Sequence, residues 1–414
     1  MTTAVLAIFL LVYVGMILGG LPFLQLDRTG VALLGAIAIV GVGALTPEQA
    51  AAAVHLPTVL LLFAFMVISA QMRLGGFYTW VTRRVAQLPL SPPGLLAVLI
   101  VVIAALSAVF SNDIVCLAAA PVLVDACIKR KLDPVPFLLA LACAANIGSA
   151  ATLIGNPQNM LIGAKLQLDF GAYLALALPV VVPGLIVTWA IIAWQARRRW
   201  SLDASAIPIA AVERREGEDR VLDIWQSAKG LTVACALLVL FLWAPLPREV
   251  AAITSAGVLL MSRKLHSTNM LGLVDWELLV LFIALFVVNH AVEETGLVAE
   301  LVAHLGSEGV DLEHPAALFG SVLVLSNVVS NVPAVMLLLP VASHEYAGPL
   351  LALVSTLAGN LLIVGSIANI IVVDAAARRG VSIDWRIHAR VGVPVTLATL
   401  AIAAGWLSLR GAPF

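Results

Sequence analysis

Apolar sequence at bilayer depth is broken twice by one polar pattern, with the two copies 219 residues apart. Ser107-Ala-Val-Phe-Ser111-Asn112, with Pro121 nine residues on, returns as Ser326-Asn-Val-Val-Ser330-Asn331, with Pro340 nine residues on. In hydrocarbon no water satisfies free N–H and C=O groups, so a backbone that leaves its helix there must be buried in protein or line a cavity. Such a costly break, made once in each half, predicts two structural repeats with a site between them.

Composition agrees with a lipid-embedded chain. Hydrophobic residues make up 62% of the sequence and charged ones 11%, against about a quarter charged in a soluble domain. A net charge of −1 gives no reason to expect a nucleic-acid partner. The four cysteines (116, 127, 143, 235) lie in apolar segments without a C-x-x-C pair, so they read as small hydrophobes. No phosphate-binding G-x-x-x-x-G-K-[ST] loop occurs, which argues against ATP drive, and no H-E-x-x-H or G-x-S-x-G motif suggests an intramembrane enzyme.

Apolar run lengths predict an all-α polytopic membrane protein. The first half, 1–199, contains spans near 3–23, 29–46 and 56–74, then a hairpin over 93–128, a broken helix over 135–166 and a span over 171–195. A charged linker, 200–227, joins it to the second half, 228–414. That half has spans near 228–245, 249–262 and 275–293, a hairpin over 316–345, a broken helix over 347–375 and a last span over 389–409. If each Ser-Asn tip turns back within the membrane, 20 of the 23 basic residues fall on one face, leaving only Lys165, Arg248 and Arg410 on the other. The excess of Lys and Arg marks the cytoplasmic side. This topology places both termini outside and gives the halves opposite orientations, so the expected fold is a pair of inverted-topology repeats.

Each tip joins a helix C-terminus, whose free carbonyls suit a cation, to a helix N-terminus, whose free N–H groups suit an anion or polar solute. Ser107, Ser111 and Asn112 at one tip, and Ser326, Ser330 and Asn331 at the other, add oxygens that fit a monovalent cation such as Na+ better than a transition metal. The blander alternative is that these residues merely cap the outgoing helix. A second pair, Gly155-Asn156-Pro157-Gln158-Asn159 and Gly365-Ser366-Ile-Ala-Asn369, breaks the long segment of each half. Small-residue packing explains the glycines but not the run of amides. Asp113 has no counterpart, since Val332 stands at the matching position. A carboxylate at that depth is expected to be an N-cap, or to exchange protons or hold a cation.

These motifs resemble the ion-transporter superfamily, which includes arsenite permeases, citrate carriers, sodium/dicarboxylate symporters and some sodium/proton antiporters. The likeness covers nearly the whole chain and is sharpest at Ser111-Asn112-Asp113, Asn146-Ile-Gly-Ser149, Gly155-Asn-Pro-Gln-Asn159, Ser330-Asn331-Val-Pro333 and Gly365-Ser-Ile-Ala-Asn369. The Asn-Asp at the first tip is similar to the arsenite-permease branch. The resemblance implies cation sites lined by Ser107, Ser111, Asn112 and Gly155 and by Ser326, Ser330, Asn331 and Gly365. It implies an elevator-like movement, often within a homodimer, in a bacterial cytoplasmic membrane. The expected function is secondary transport of a small anion or oxyanion, such as arsenite or a carboxylate, coupled to H+ or Na+ without other cofactor. The alternatives are an Na+/H+ antiporter using Asp113 and, from a different class, a passive channel.

Overall fold

A computed structural model of the chain describes residues 1–21, 24–201, 222–307 and 311–412. Most of the linker expected over 200–227 lies outside the described residues.

The first half runs α1 (Thr2–Leu18), a two-residue hairpin of β1 (Gly20–Leu21) and β2 (Leu26–Asp27), α2 (Arg28–Gly41), α3 (Pro47–Ala53), α4 (Leu56–Leu74), α5 (Phe77–Ala86), α6 (Pro92–Val109), α7 (Asn112–Lys129), α8 (Pro134–Ser149), α9 (Pro157–Lys165) and α10 (Phe170–Ala196). The second repeats that order: α11 (Ile224–Trp243), α12 (Arg248–Leu260), α13 (Ser267–Leu271), α14 (Trp276–Glu294), α15 (Leu297–Ser307), α16 (Pro315–Val328), α17 (Asn331–Leu338), α18 (Ala347–Ala358), α19 (Ile367–Ala377) and α20 (Trp385–Leu409). Among the described residues, six helices are long and apolar enough to cross a membrane: α4, α6, α10, α11, α14 and α20.

Local chemistry sets many of the helix starts. Asp27, Asp133, Asp169, Asp223, Asp275 and Asp384 each accept a backbone N–H from the first turn they precede, and Thr46 with Gln49 forms a capping box for α3. Much of the sparse acidic content is thereby placed at helix ends. Packing follows the repeat. α2 lies against α14, and its counterpart α12 lies against α4. The counterparts α10 and α20 pack side by side and antiparallel: Gln195 Nε2 donates to Arg390 O (2.7 Å), and Trp406 Nε1 donates to Leu176 O (2.9 Å).

The core sits in the broken helices. Every residue of α18 is buried, as is all of α8 except Val135, while α10 and α11 keep large apolar side chains exposed, as a lipid-facing surface requires. Both Ser-Asn patterns form tips. α6 ends at Val109 and α7 starts at Asn112; α16 ends at Val328 and α17 starts at Asn331. The breaks cover 150–156 and 359–366, the second holding a 3-10 turn (Ile363–Gly365), so each begins upstream of its G-x-x-x-N motif and ends inside it.

Candidate functional site

Asn146, three residues before the end of α8, is the centre of a buried amide network. Its Oδ1 accepts from Asn112 Nδ2 (3.1 Å) at the first tip and from Ser366 Oγ (2.9 Å) in the second break. Its Nδ2 donates to Asn360 Oδ1 (2.8 Å) and Asn369 Oδ1 (3.1 Å). One side chain therefore joins the first tip to the second break, across more than 210 residues of sequence. A buried amide is tolerated when its donors and acceptors are all engaged.

The two G-x-x-x-N segments do matching work. Asn156 Oδ1 accepts from Asn159 N (2.9 Å) and so caps α9, and Ser366 Oγ accepts from Ala368 N (3.2 Å) and so caps α19. The Asn that ends each motif turns back onto its own break. Asn159 Nδ2 donates to Thr152 O (3.1 Å), and Asn369 Nδ2 donates to Gly359 O (2.8 Å) and Leu362 O (3.0 Å). Free carbonyls of the unwound chain are thus satisfied without water. Pro157 fills the first helical position of α9, where no N–H is needed. Thr356 of α18 receives Asn156 Nδ2 (3.1 Å) and Gln158 Nε2 (3.4 Å), a second bridge between halves.

Each break passes close to a hairpin, and glycine permits it. A Cβ on Gly155 would lie 2.3 Å from Ser149 O and 2.8 Å from Ser107 O; one on Gly365 would lie 3.0 Å from Asn327 Oδ1. Gly155 O also accepts the backbone N–H of Asn112 (3.2 Å). Every expected site residue outside the tips (Gly155, Asn156, Pro157, Gln158, Asn159, Gly365, Ser366, Asn369) is buried in this region.

The capping alternative fails for the serines of both tips, although Asn112 Oδ1 accepts one first-turn N–H of α7. Neither Ser111 nor Ser330 makes a side-chain cap bond, and Asp113 does not cap α7; instead Asp113 N donates to Asn112 Oδ1 (3.0 Å). Several buried tip atoms have no hydrogen-bond partner: Ser107 Oγ and Asp113 Oδ1 at the first, Ser326 Oγ, Asn327 Oδ1 and Asn331 Oδ1 at the second. All are oxygens, which suits a hard cation or a donor-rich solute. No cluster of three His, Cys, Asp or Glu occurs among the described residues, so the donor set does not resemble a transition-metal site. Ser330 has φ +78°, an uncommon conformation for a residue with a Cβ, at the turn itself.

Sequence reasoning missed Asn327, Thr356, Tyr173 and His388. Tyr173 OH donates to Ala150 O (2.8 Å), and His388 Nε2 lies 3.0 Å from Asn360 O. A signal for the last two was present: Asp169-x-x-x-Tyr173 and Asp384-x-x-x-His388 are each followed by a proline ten residues after the Asp, Pro179 and Pro394.

Paired hairpin tips and paired helix breaks, meeting at a buried polar centre inside an apolar helical protein, define a membrane transporter. The chain belongs to the citrate transporter family, whose model matches residues 7–350. It is similar to a 46 kDa membrane protein of Mycobacterium leprae, with 28% identity over 93% of this chain and 94% of the relative. It is also similar to a silicon efflux transporter of Oryza sativa subsp. japonica, with 30% identity over 92% of each. The fold is shared with the YdaH transporter of Alcanivorax borkumensis, with a TM-score of 0.54, 14% identity and 99% of each chain covered.

Proposed function

We propose that the protein is a secondary active transporter for a small anion or oxyanion-type solute, coupled to H+ or Na+, and that cargo binds between the two tips beside the Asn146 network. The observation that carries this reading is the set of partnerless buried oxygens at both tips, the first of which is tied through Asn112 to a network that spans both halves. No Lys or Arg occurs in either tip or break. Cargo would therefore be held by hydroxyls, amides and helix N-termini, which suits a hydroxylated solute of low charge such as arsenite or silicic acid better than a fully ionised citrate. The similarity to the silicon efflux transporter of rice supports this class of solute.

The halves have inverted orientations, which the antiparallel packing of the counterparts α10 and α20 supports. The hairpins and broken helices move together, elevator-like, against a frame containing α2, α4, α12 and α14. Both termini lie outside a bacterial cytoplasmic membrane, and the working unit is a homodimer. Ser107, Ser326, Asn331 and the tip carbonyls would hold Na+ if sodium drives transport, and Asp113 would carry the proton if H+ does.

The test is flux into proteoliposomes under an imposed pH or sodium gradient, with arsenite, silicic acid, phosphate and citrate as probes. Gradient-dependent, saturable flux of an oxyanion-type probe is expected; its absence for all four overturns the reading. The second reading, an Na+/H+ antiporter, is favoured by one observation: Asp113 Oδ1 is buried without a partner. It predicts sodium-dependent proton movement with no added probe, lost in Asp113→Asn.

A further inference from the structure

The last helix of each half, α10 or α20, is also its longest, and the two bring basic ends together. With 27 and 25 residues they run to about 40 and 37 Å, past a hydrocarbon core of about 30 Å. Gln195 Nε2 donates to Arg390 O (2.7 Å), so residues past Gln195 on α10 and residues before Arg390 on α20 share one end. Arg197, Arg198 and Arg199 close α10, Arg386 and Arg390 lie in the opening turns of α20, and all five are exposed. The segment after α10 is held in place: Trp200 O accepts Asp133 N (2.9 Å), and the Trp200 ring meets Phe137 (centroids 5.8 Å apart).

Basic residues are common on the cytoplasmic face of a membrane protein, and Arg197 to Arg199 suit a helix C-terminus. Two features exceed that pattern. Arg386 stands in the first turn of α20, the positive end of the helix dipole, where a cation is disfavoured. Arginines elsewhere on the same face also find protein partners. Arg378 pairs with Asp374 (2.8 Å), Arg379 pairs with Asp125 (3.3 Å), and Arg130 donates to the carbonyls of Ala86, Leu88 and Leu90. Among the described residues, Arg197, Arg198, Arg386 and Arg390 form no ion pair. Asp384 is engaged as the cap of α20 (Ile387 N, 2.7 Å), and Asp133 lies within reach of the Arg199 charge. Arg197 stacks on Trp194 and Arg386 on Trp385, each with its guanidinium carbon 5.2 Å from the ring centroid. Both indoles are exposed, as interfacial tryptophans are.

We propose that these two Trp-Arg pairs, with Arg198 and Arg390, form a binding site for the headgroup of an anionic phospholipid. Four cations without carboxylate partners repel one another, and a phosphate placed among them relieves that repulsion. Guanidinium forks match phosphate oxygens in bidentate fashion, and stacking on an indole keeps the fork oriented. The site also has room for acyl chains. On α10 the exposed Val182, Ile186 and Trp194 fall on one face at four-residue multiples. On α20 the exposed Val393 and Leu397 follow Arg390 by three and seven residues, again on one face. Each arginine cluster therefore sits at the head of an apolar, lipid-facing stripe. A lipid bound there joins the end of the first half to the last helix of the second. The inference rests on the membrane setting of the fold and not on the cargo, so a failed flux assay leaves it standing.

Thermal melting of the full chain in detergent, titrated with phosphatidylglycerol, phosphatidylcholine or inorganic phosphate, tests it. Phosphatidylglycerol should raise the melting temperature saturably, and the other two should not. Arg386→Gln with Arg390→Gln, or Arg197→Gln with Arg198→Gln, should each weaken the apparent affinity for phosphatidylglycerol about tenfold. Arg386→Lys with Arg390→Lys keeps the charge without the planar fork, and should still lose about threefold. Arg263→Gln with Lys264→Gln removes two exposed cations elsewhere on the basic face, and should change affinity by less than about twofold. An equal loss in that control overturns the site. So does a wild-type protein that phosphatidylcholine or inorganic phosphate stabilises as much as phosphatidylglycerol does, a result that needs no variant to fold. The linker carries Glu213, Glu216, Glu218 and Asp219. Binding of phosphatidylglycerol seen only after these four are replaced by Ser would give the patch to the linker and overturn the lipid as its occupant.

Discussion

At the first tip, Asn112 gives its side-chain amide to Asn146 and its backbone N–H to Gly155 O. At the second, Asn331 Oδ1 and Asn327 Oδ1 are buried without a partner, and Ser330 is held at φ +78°. The sequence patterns are near copies and both tips keep partnerless oxygens, yet the Asn of the first is bonded into the amide network, whereas the second is tied only through Asn327 Nδ2, which donates to Ala358 O (3.3 Å). Clearances agree. Backbone atoms crowd Gly155 at 2.3 and 2.8 Å, whereas the nearest neighbour of Gly365 is the far end of a side chain at 3.0 Å. Repeats that descend from one pattern can thus divide labour. Under the proposed function the tied tip would order the site and the slack one would close on a ligand, because unmade hydrogen bonds and local strain are what binding can relieve.

The sharpest way to break this contrast is to fill each glycine. Gly155→Ala must displace two carbonyl oxygens and should cost about 3 kcal/mol or more, enough to prevent a folded product in detergent. Gly365→Ala must shift the Asn327 side chain and ease past Gly359 O at 3.1 Å, both milder contacts than those at Gly155, and should cost about 1–2 kcal/mol. Thermal melting of the two purified variants decides; equal losses would mean that the halves are equally tight.

Next in size are the asparagines. Asn112→Ala leaves one of the Asn146 contacts unmade inside the core and should cost about 1–3 kcal/mol. Asn331→Ala deletes an oxygen that already lacks a partner, so its melting temperature should stay near wild type. Its expected loss is instead the rise in melting temperature that a bound solute gives the wild type. Reversal of these two outcomes would exchange the roles assigned to the tips.

The architecture was legible in the sequence where a physical cost was concentrated in few residues. Ser-Asn at membrane depth has few explanations, and both copies do sit at breaks between two helices. The G-x-x-x-N pairs were legible for the same reason, because Gly and Pro stop a helix at known places. What stayed hidden depends on long-range contact. Nothing near Asn146 in the chain shows that it meets Asn360, Ser366 and Asn369. Thr356 looks like an ordinary helix residue until Asn156 and Gln158 approach it from the other half. Tyr173 and His388 were missed because they share a position and not a residue type, and identity was the signal being sought.

A smaller test concerns backbone strain at the tips. Ser330→Gly removes the penalty of a Cβ at positive φ and should raise stability by about 0.5–1 kcal/mol. Ser111 has φ −58°, so Ser111→Gly only adds chain entropy and should lower stability by a similar amount. Opposite signs in paired melts would support strain at the second tip alone; a loss in both would place Ser330 among ordinary turn residues.

The smallest expected effect lies in the loop after the second hairpin, where the slack half meets solvent. His344 follows the 3-10 turn Leu339–Val341 and precedes α18; both its ring nitrogens are buried without a hydrogen-bond partner. Burial first, and the neighbouring His314 second, hold its ring below the ordinary histidine value. His314 in turn accepts the N–H of Ala316 through Nδ1 (3.3 Å) to cap α16. The unfolded chain then binds protons more readily than the folded one. Stability is therefore full above the ordinary histidine value and falls as the pH drops below it. His344→Gln should flatten the acid side of the melting profile by less than about 1 kcal/mol, because the ring is partly screened by solvent. An equivalent loop is missing from the first half, where α7 runs on to Lys129 and turns into α8 through Leu132 and Asp133 without a histidine. An acid response that survives in His344→Gln would therefore have to come from deeper in the second half.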